Sequence, residues 1–173
     1  LRDRERILDL FEMTCGARLL YNYMWIGGLS HDLPVGFVES TYKFLDYFEP
    51  KIDEFVNLLV HNKIFVERTA DIGVMPQDVA ISYGVTGPNL RASGLKWDLR
   101  RDDPYSIYNK FEFEVPVGEG GKGSVGDCWD RFYVRVLEMK ESIKIVRQAL
   151  ASMPKDGDVH QSLPKKIKPP IGS

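Results

Sequence analysis

Hydrophobic residues recur at helical spacing from the start of the chain. Ile7, Leu10, Phe11 and Thr14 share one face, with charged residues opposite. This predicts a helix from about Arg2 to Cys15, capped by Gly16. The stretch Leu20–Leu29 is short, aromatic and closed by two glycines, which predicts a strand or extended segment. Asp32-Leu-Pro34 opens a second helix carrying Val38, Tyr42 and Leu45 on one face. Pro50 stands where a first-turn proline would begin a third, with Ile52, Phe55, Val56 and Leu59. Beyond Phe65 the periodicity loosens. A short helix is expected over Pro76–Tyr83, stopped by Gly84, and irregular backbone from Gly84 to Tyr108.

Lys110–Val117 (KFEFEVPV) alternates strictly and predicts a strand whose Pro116 puts it at a sheet edge. Gly118–Gly123 reads as a flexible turn. Phe132, Val136, Met139, Ile143, Val146 and Leu150 then form the clearest stripe, predicting a long helix from about Gly126 to Met153. Its charged residues Arg131, Arg135, Glu138, Lys140, Glu141, Lys144 and Arg147 read as a solvated face. The sum is an α+β class, mainly α, with long helices and a small antiparallel sheet. A body over 1–153 is expected, followed by an extended tail, 154–173, rich in proline and lysine.

Composition narrows the function. The formal charge of −2 argues against a nucleic-acid binder that relies on a positive field. Cys15 and Cys128 are isolated and no CxxC or Cys/His cluster exists, so no metal site is expected from this chain alone. Two lone thiols suit a reduced compartment. No apolar run reaches membrane-spanning length and no signal-peptide pattern is present. Helix-like sequence at Leu1 and a proline-rich end without a closing element suggest an internal segment of a longer protein.

Candidate chemistry is sparse. The loop Gly84–Gly94 (GVTGPNLRASG) lacks the Gly-Lys-Ser/Thr ending of a phosphate loop and the spacing of a dinucleotide fingerprint. Gly120–Ser124 lacks the first glycine of a phosphate loop. His31, His61 and His160 fall in loops or at helix ends, none in a nucleophile motif. What stands out is the polar run Arg91, Ser93, Asp98, Arg100, Arg101, Asp102, Asp103 and Tyr105 in irregular backbone. Such backbone has no ladder to bond into, so side chains or partners must satisfy it. Arg91, Asp98 and Arg100 are therefore expected to form a structural polar network, in preference to direct ligand contact.

Several motifs in series carry a resemblance. Arg2-Asp-Arg-Glu-Arg-Ile-Leu-Asp-Leu-Phe-Glu12, Gly16-Ala-Arg18 and Ile26-Gly-Gly-Leu-Ser-His-Asp-Leu-Pro34 resemble the D-type, quinone-site subunit of NADH:quinone oxidoreductase, respiratory complex I. So do Thr86–Gly94 with Asp98-Leu-Arg100, Pro104-Tyr105, and Asp130–Lys144, in the same order along nearly the whole chain. The resemblance implies a hydrogenase-large-subunit-like fold and a place in the peripheral arm, at the cytoplasmic face of a bacterial inner membrane or the matrix side of an organelle. It implies other complex I subunits as partners, with no nucleic acid. It also implies a quinone and a 4Fe–4S cluster in the intact complex, the cluster ligated by a neighbouring subunit. The family's quinone-contacting histidine and tyrosine precede the Arg2 motif, so no catalytic or metal-binding residue is assigned here. A related membrane-bound nickel–iron hydrogenase, or a structural assembly module, are the alternatives.

By resemblance Arg18, Leu20 and Trp25 lie near the terminal cluster. Two of them depart from the family pattern: Leu20 stands where it usually has histidine, and Trp25 where it usually has arginine. Leucine removes a titratable group whose ordinary pKa is about 6.5. That implies a cluster potential less sensitive to pH, as suits a low-potential quinone such as menaquinone.

Overall fold

The computed structural model describes residues 2–154 and 156–163, so most of the expected tail lies outside the described residues. They gather into two units, one built from the chain up to Phe44 with the stretch from Met153 onward, the other from Leu45–Ser152. In the first unit α1 (Arg2–Cys15) buries Leu8, Leu10 and Thr14. Phe11 is turned off that face and lies against the Tyr21 ring, 4.6 Å between centroids. Gly16 ends the helix at φ +72°, its N–H donating to the Glu12 carbonyl at 2.9 Å. The expected extended segment is a hairpin. β1 (Met24–Trp25) pairs antiparallel with β2 (Gly28–Leu29), Met24 opposite Leu29 and Trp25 opposite Gly28.

Pro50 does not begin a helix. It lies inside α2 (Phe37–Phe55), which runs unbroken through it. Leu45 and Ile52, on either side of the proline, are both buried. Burying two such side chains contributes about 3–6 kcal/mol, enough to offset the ~3 kcal/mol cost of an interior proline. The helix then widens into a π-helical turn, Val56–Val60. The extra residue per turn shifts the register, so Val60 becomes buried and Leu59, expected inward, is partly exposed.

A helix the periodicity did not reveal, α3 (Lys63–Thr69), starts at Asn62, whose side chain accepts from the N–H groups of Ile64 and Phe65. α4 (Gln77–Ser82) matches expectation. The stretch after it is less irregular than expected. It holds α5 (Gly87–Ala92), α6 (Leu99–Asp102) and a 3₁₀ turn, Tyr108–Lys110.

Lys110 closes the 3₁₀ turn, and the stretch 111–117 beyond it joins no sheet among the described residues. Its alternation still reports burial: Phe111, Phe113 and Val115 form a core cluster with Ile145, while Glu112 and Glu114 face out. The missing ladder is replaced by the side chains of the long helix α7 (Cys128–Ser152). Glu112 donates its N–H to Gln148 Oε1 at 2.8 Å, and Gln148 Nε2 donates back to the Glu112 carbonyl at 2.7 Å. The Glu114 N–H donates to Glu141 Oε2 at 2.9 Å, and Arg101 donates to the Phe113 carbonyl.

α7 buries Trp129, Val134, Val136, Ile143 and Ile145, on more than the one expected stripe, and Val146 is partly exposed. Nor is its charged face merely solvated. Arg135 donates to Asn89 Oδ1 at 2.7 Å, Lys140 pairs with Asp53 at 2.9 Å, and Arg147 reaches Asp46 and Glu49 at 2.9 and 3.0 Å. The glycine turn before it is likewise held in place. Gly118 donates its N–H to the Arg91 carbonyl at 2.9 Å, and a Cβ there would collide with the Ala92 carbonyl. The buried Asp130 carboxylate accepts from the N–H groups of Gly120 and Gly126 at 3.0 and 3.3 Å. The buried Asp127 accepts from the N–H groups of Asp71 and Asp130 at 2.9 and 2.8 Å.

Asp130→Ala leaves the buried Gly126 amide and the half-buried Gly120 amide without their acceptor, so it is expected to destabilise the full-length protein by about 3 kcal/mol. A urea midpoint equal to that of the parent would refute the assignment.

Candidate functional site

Arg91, Asp98 and Arg100 meet in the Leu45–Ser152 unit. α5 carries Arg91 inward, where it is nearly inaccessible. Its Nε donates to Glu138 Oε1 of α7 at 2.7 Å, and its Nη1 donates to the Trp97 carbonyl at 3.0 Å and lies 3.6 Å from Asp98 Oδ2. Asp98 serves three donors of Arg100: the backbone N–H at 3.0 Å, Nε at 2.9 Å and Nη2 at 2.6 Å. Burial pushes the Asp98 carboxyl up, but the Arg100 hydrogen bonds and the charges of Arg100 and Arg91 outweigh it. The carboxyl is held below its ordinary range. Arg100 is correspondingly raised, first by its bond to Asp98. Its guanidinium also lies 5.0 Å from the Phe113 ring centroid, whose other neighbour is Arg101 at 4.4 Å.

These groups floor a cleft of about 450 Å³ whose lining also includes Trp97, Leu99 and Tyr105. Two cations and two carboxylates balance there and answer one another. The arrangement stitches α5, α6 and α7 together. Glu138, read from the sequence as part of a solvated face, is instead the partner of Arg91, which lies far along the chain and leaves no local signal of the pair.

Arg18, Leu20 and Trp25 lie in the other unit. Arg18 reaches back to α1 and bonds three carboxylates: Asp9 at 2.6 Å, Glu5 at 2.7 Å and Glu12 at 3.0 Å. Its pKa is raised further, chiefly by Asp9, then Glu5 and Glu12. The spacing of Glu5, Asp9 and Glu12 puts all three on one helix face and could have signalled a shared cation. Leu20 and Trp25 make no such bonds inward. Leu20 is 75% exposed and Trp25 52%, amid other exposed apolar residues, Leu19, Met24 and Ile26. Trp25 Nε1 donates to Asn22 Oδ1 at 2.9 Å. Tyr23 turns inward, and its hydroxyl is buried without a hydrogen-bond partner among the described residues. Burial raises its pKa, followed by Asp32 and Cys15. Its ring stands edge-on to His31, 5.2 Å away.

Among the described residues, no group of three or more His, Cys, Asp and Glu side chains is gathered to hold a metal ion, and no helix is long and apolar enough to cross a membrane. Cys15 and Cys128 are free thiols.

The family model described as respiratory-chain NADH dehydrogenase, 49 kDa subunit, matches residues 1–172. The chain is 52% identical over 177 residues to a D-type subunit of the NADH-quinone oxidoreductase of Cytophaga hutchinsonii, covering 99% of this chain and 45% of that protein. It is 54% identical over 173 residues to the D-type subunit of the NADH-quinone oxidoreductase of Chlorobaculum tepidum, covering 99% and 43%. It thus spans less than half the length of these curated relatives. The mainly helical α+β architecture fits the hydrogenase-large-subunit-like fold of the matched family.

Because the Asp98 carboxyl is held below the unfolded value of about 3.9, its pairing contributes stability above that pH. That contribution is lost as the pH falls through the depressed folded value. Asp98→Asn is therefore expected to lower stability at neutral pH, with the gap closing below about pH 4. Urea midpoints measured from pH 7 downward check this, and a gap that does not narrow in acid would contradict it.

Proposed function

Because the chain belongs to the family of the 49 kDa subunit of respiratory-chain NADH dehydrogenase, we propose that it is a section of the peripheral-arm, D-type subunit of an NADH:quinone oxidoreductase. In that complex it helps transfer electrons from NADH through iron–sulfur clusters to a quinone, coupled to proton translocation. The observation that carries this reading is identity above half along 99% of the chain to proteins named as D-type subunits of NADH-quinone oxidoreductase. Those names favour complex I over the hydrogenase alternative.

Within the complex, the chain's own part is scaffold and surroundings. The exposed hairpin with Leu20 and Trp25 is the face offered to the neighbouring subunit that ligates a 4Fe–4S cluster. Such a cluster supplies one-electron transfer. Arg18, already bonded to three carboxylates, anchors α1 beside that face. Leu20 is an apolar, non-titrating neighbour where the family usually has histidine. An apolar face of this kind is what a subunit interface covers. The place of the complex is the cytoplasmic face of a bacterial inner membrane, or the matrix side in an organelle.

Membranes from cells lacking the full-length protein are expected to lose NADH-driven quinone reduction and to regain it on complementation. Undiminished activity in the deletion strain would overturn the reading. In the intact complex, redox titration across pH should give a shallow dependence of the terminal-cluster potential, and Leu20→His should steepen it around the ordinary histidine pKa of about 6.5. A steep slope in the parent would refute the role given to Leu20.

A further inference from the structure

We infer that Val159–Leu163 is a strap that closes on the hairpin by adding a third strand, and that the glycine pair Gly27–Gly28 is the feature that admits it. Leu29 donates its N–H to the Val159 carbonyl at 2.8 Å, and Gln161 donates its N–H to the Gly27 carbonyl at 2.9 Å. Between those bonds Gly28 and His160 form an antiparallel bridge. β2 is thus paired on both edges, with β1 on one side and the strap on the other.

At Gly28 the approach is too close for any other residue, because the obstacle is backbone. A Cβ on Gly28 would run into the Val159 carbonyl oxygen and lie 3.0 Å from His160 Cα. One on Gly27 would run into the Leu163 side chain. Both glycines also have positive φ, +95° and +144°. Gly16 and Gly36 of the same unit separate these two demands. They too have positive φ, +72° and +85°, yet among the described residues nothing lies within 4 Å of where their Cβ would be. Gly16 and Gly36 answer to their own backbone, whereas Gly27 and Gly28 answer also to the strap.

Strands of two residues have little stability of their own, so the third strand matters to the hairpin. The strap itself buries little: Val159 is 36% exposed and Leu163 37%. A segment held mainly by backbone bonds, with little apolar burial, opens below the free energy of global unfolding. The strap is therefore a latch, opening as a piece and freeing the inner edge of β2 when it does. This concerns the unit's own backbone and goes beyond the proposed electron-transfer role. A failed complementation of quinone reduction leaves it standing.

The test is amide hydrogen exchange on the full-length protein, read at Leu29 in three variants. Gly28→Ala adds the Cβ that meets the Val159 carbonyl, and Gln161→Pro removes the N–H that bonds Gly27. Each is expected to speed exchange at Leu29 by about tenfold or more while helix α1 stays protected. Gly36→Ala, also at positive φ (+85°) but unobstructed, should leave Leu29 unchanged. Retained protection in either strap variant overturns the proposal, as does an equal loss in Gly36→Ala. If Gly28→Ala fails to fold, Gln161→Pro alone decides it.

Discussion

Peptide groups between Gly84 and Gly126 have no sheet to bond into, and this one constraint organises the Leu45–Ser152 unit. The long helix answers it. Asp130, Glu141 and Gln148 present side-chain acceptors or donors to passing backbone, and Glu138 holds Arg91, which in turn binds the Trp97 carbonyl. Buried backbone polar groups must be paired somewhere. Here those outside the short helices and turns are paired largely to side chains of one helix instead of to neighbouring strands. The apolar side of the same stretch, Phe111, Phe113 and Val115, clusters with Ile145, while the Glu112–Gln148 bonds lie at the surface.

That division of labour explains why the polar run through Arg91 and Arg100 is dense without being an obvious reaction centre. Its charges are mutually compensated, and a buried pair of this kind loses far more when one partner is removed than it adds over an apolar substitute. The network thus commits the unit to one arrangement of α5, α6 and α7.

The other unit works differently. Its helix face of Glu5, Asp9 and Glu12 is gathered by Arg18, and its apolar hairpin stays open outward. The strap fixes the hairpin's inner edge, leaving its exposed side chains as a surface to be covered. Tyr23 of the same unit is half-buried, its hydroxyl enclosed without a partner among the described residues.

Period and capping are local properties, and the sequence alone determined what depends on them. The helices Arg2–Cys15 and Gln77–Ser82, the long final helix, the cap at Gly16 and the buried alternation of Phe111, Phe113 and Val115 were legible because each rests on residues within a turn or two. Serial motifs also made the family legible. Tertiary structure alone decided that Pro50 lies within a helix, since flanking burial at Leu45 and Ile52 outweighs a local penalty. It alone turned an alternating segment into a strand without a sheet, because its bonding partners sit on a helix that comes later in the chain. Arg91 was visible as a residue in need of a partner, but Glu138 was not visible as that partner. Gly27 and Gly28 were visible as the end of an extended segment, but the strap that packs against them was not. Contacts between residues distant in sequence leave no trace in local spacing, and only the folded chain chooses among the partners that chemistry would allow.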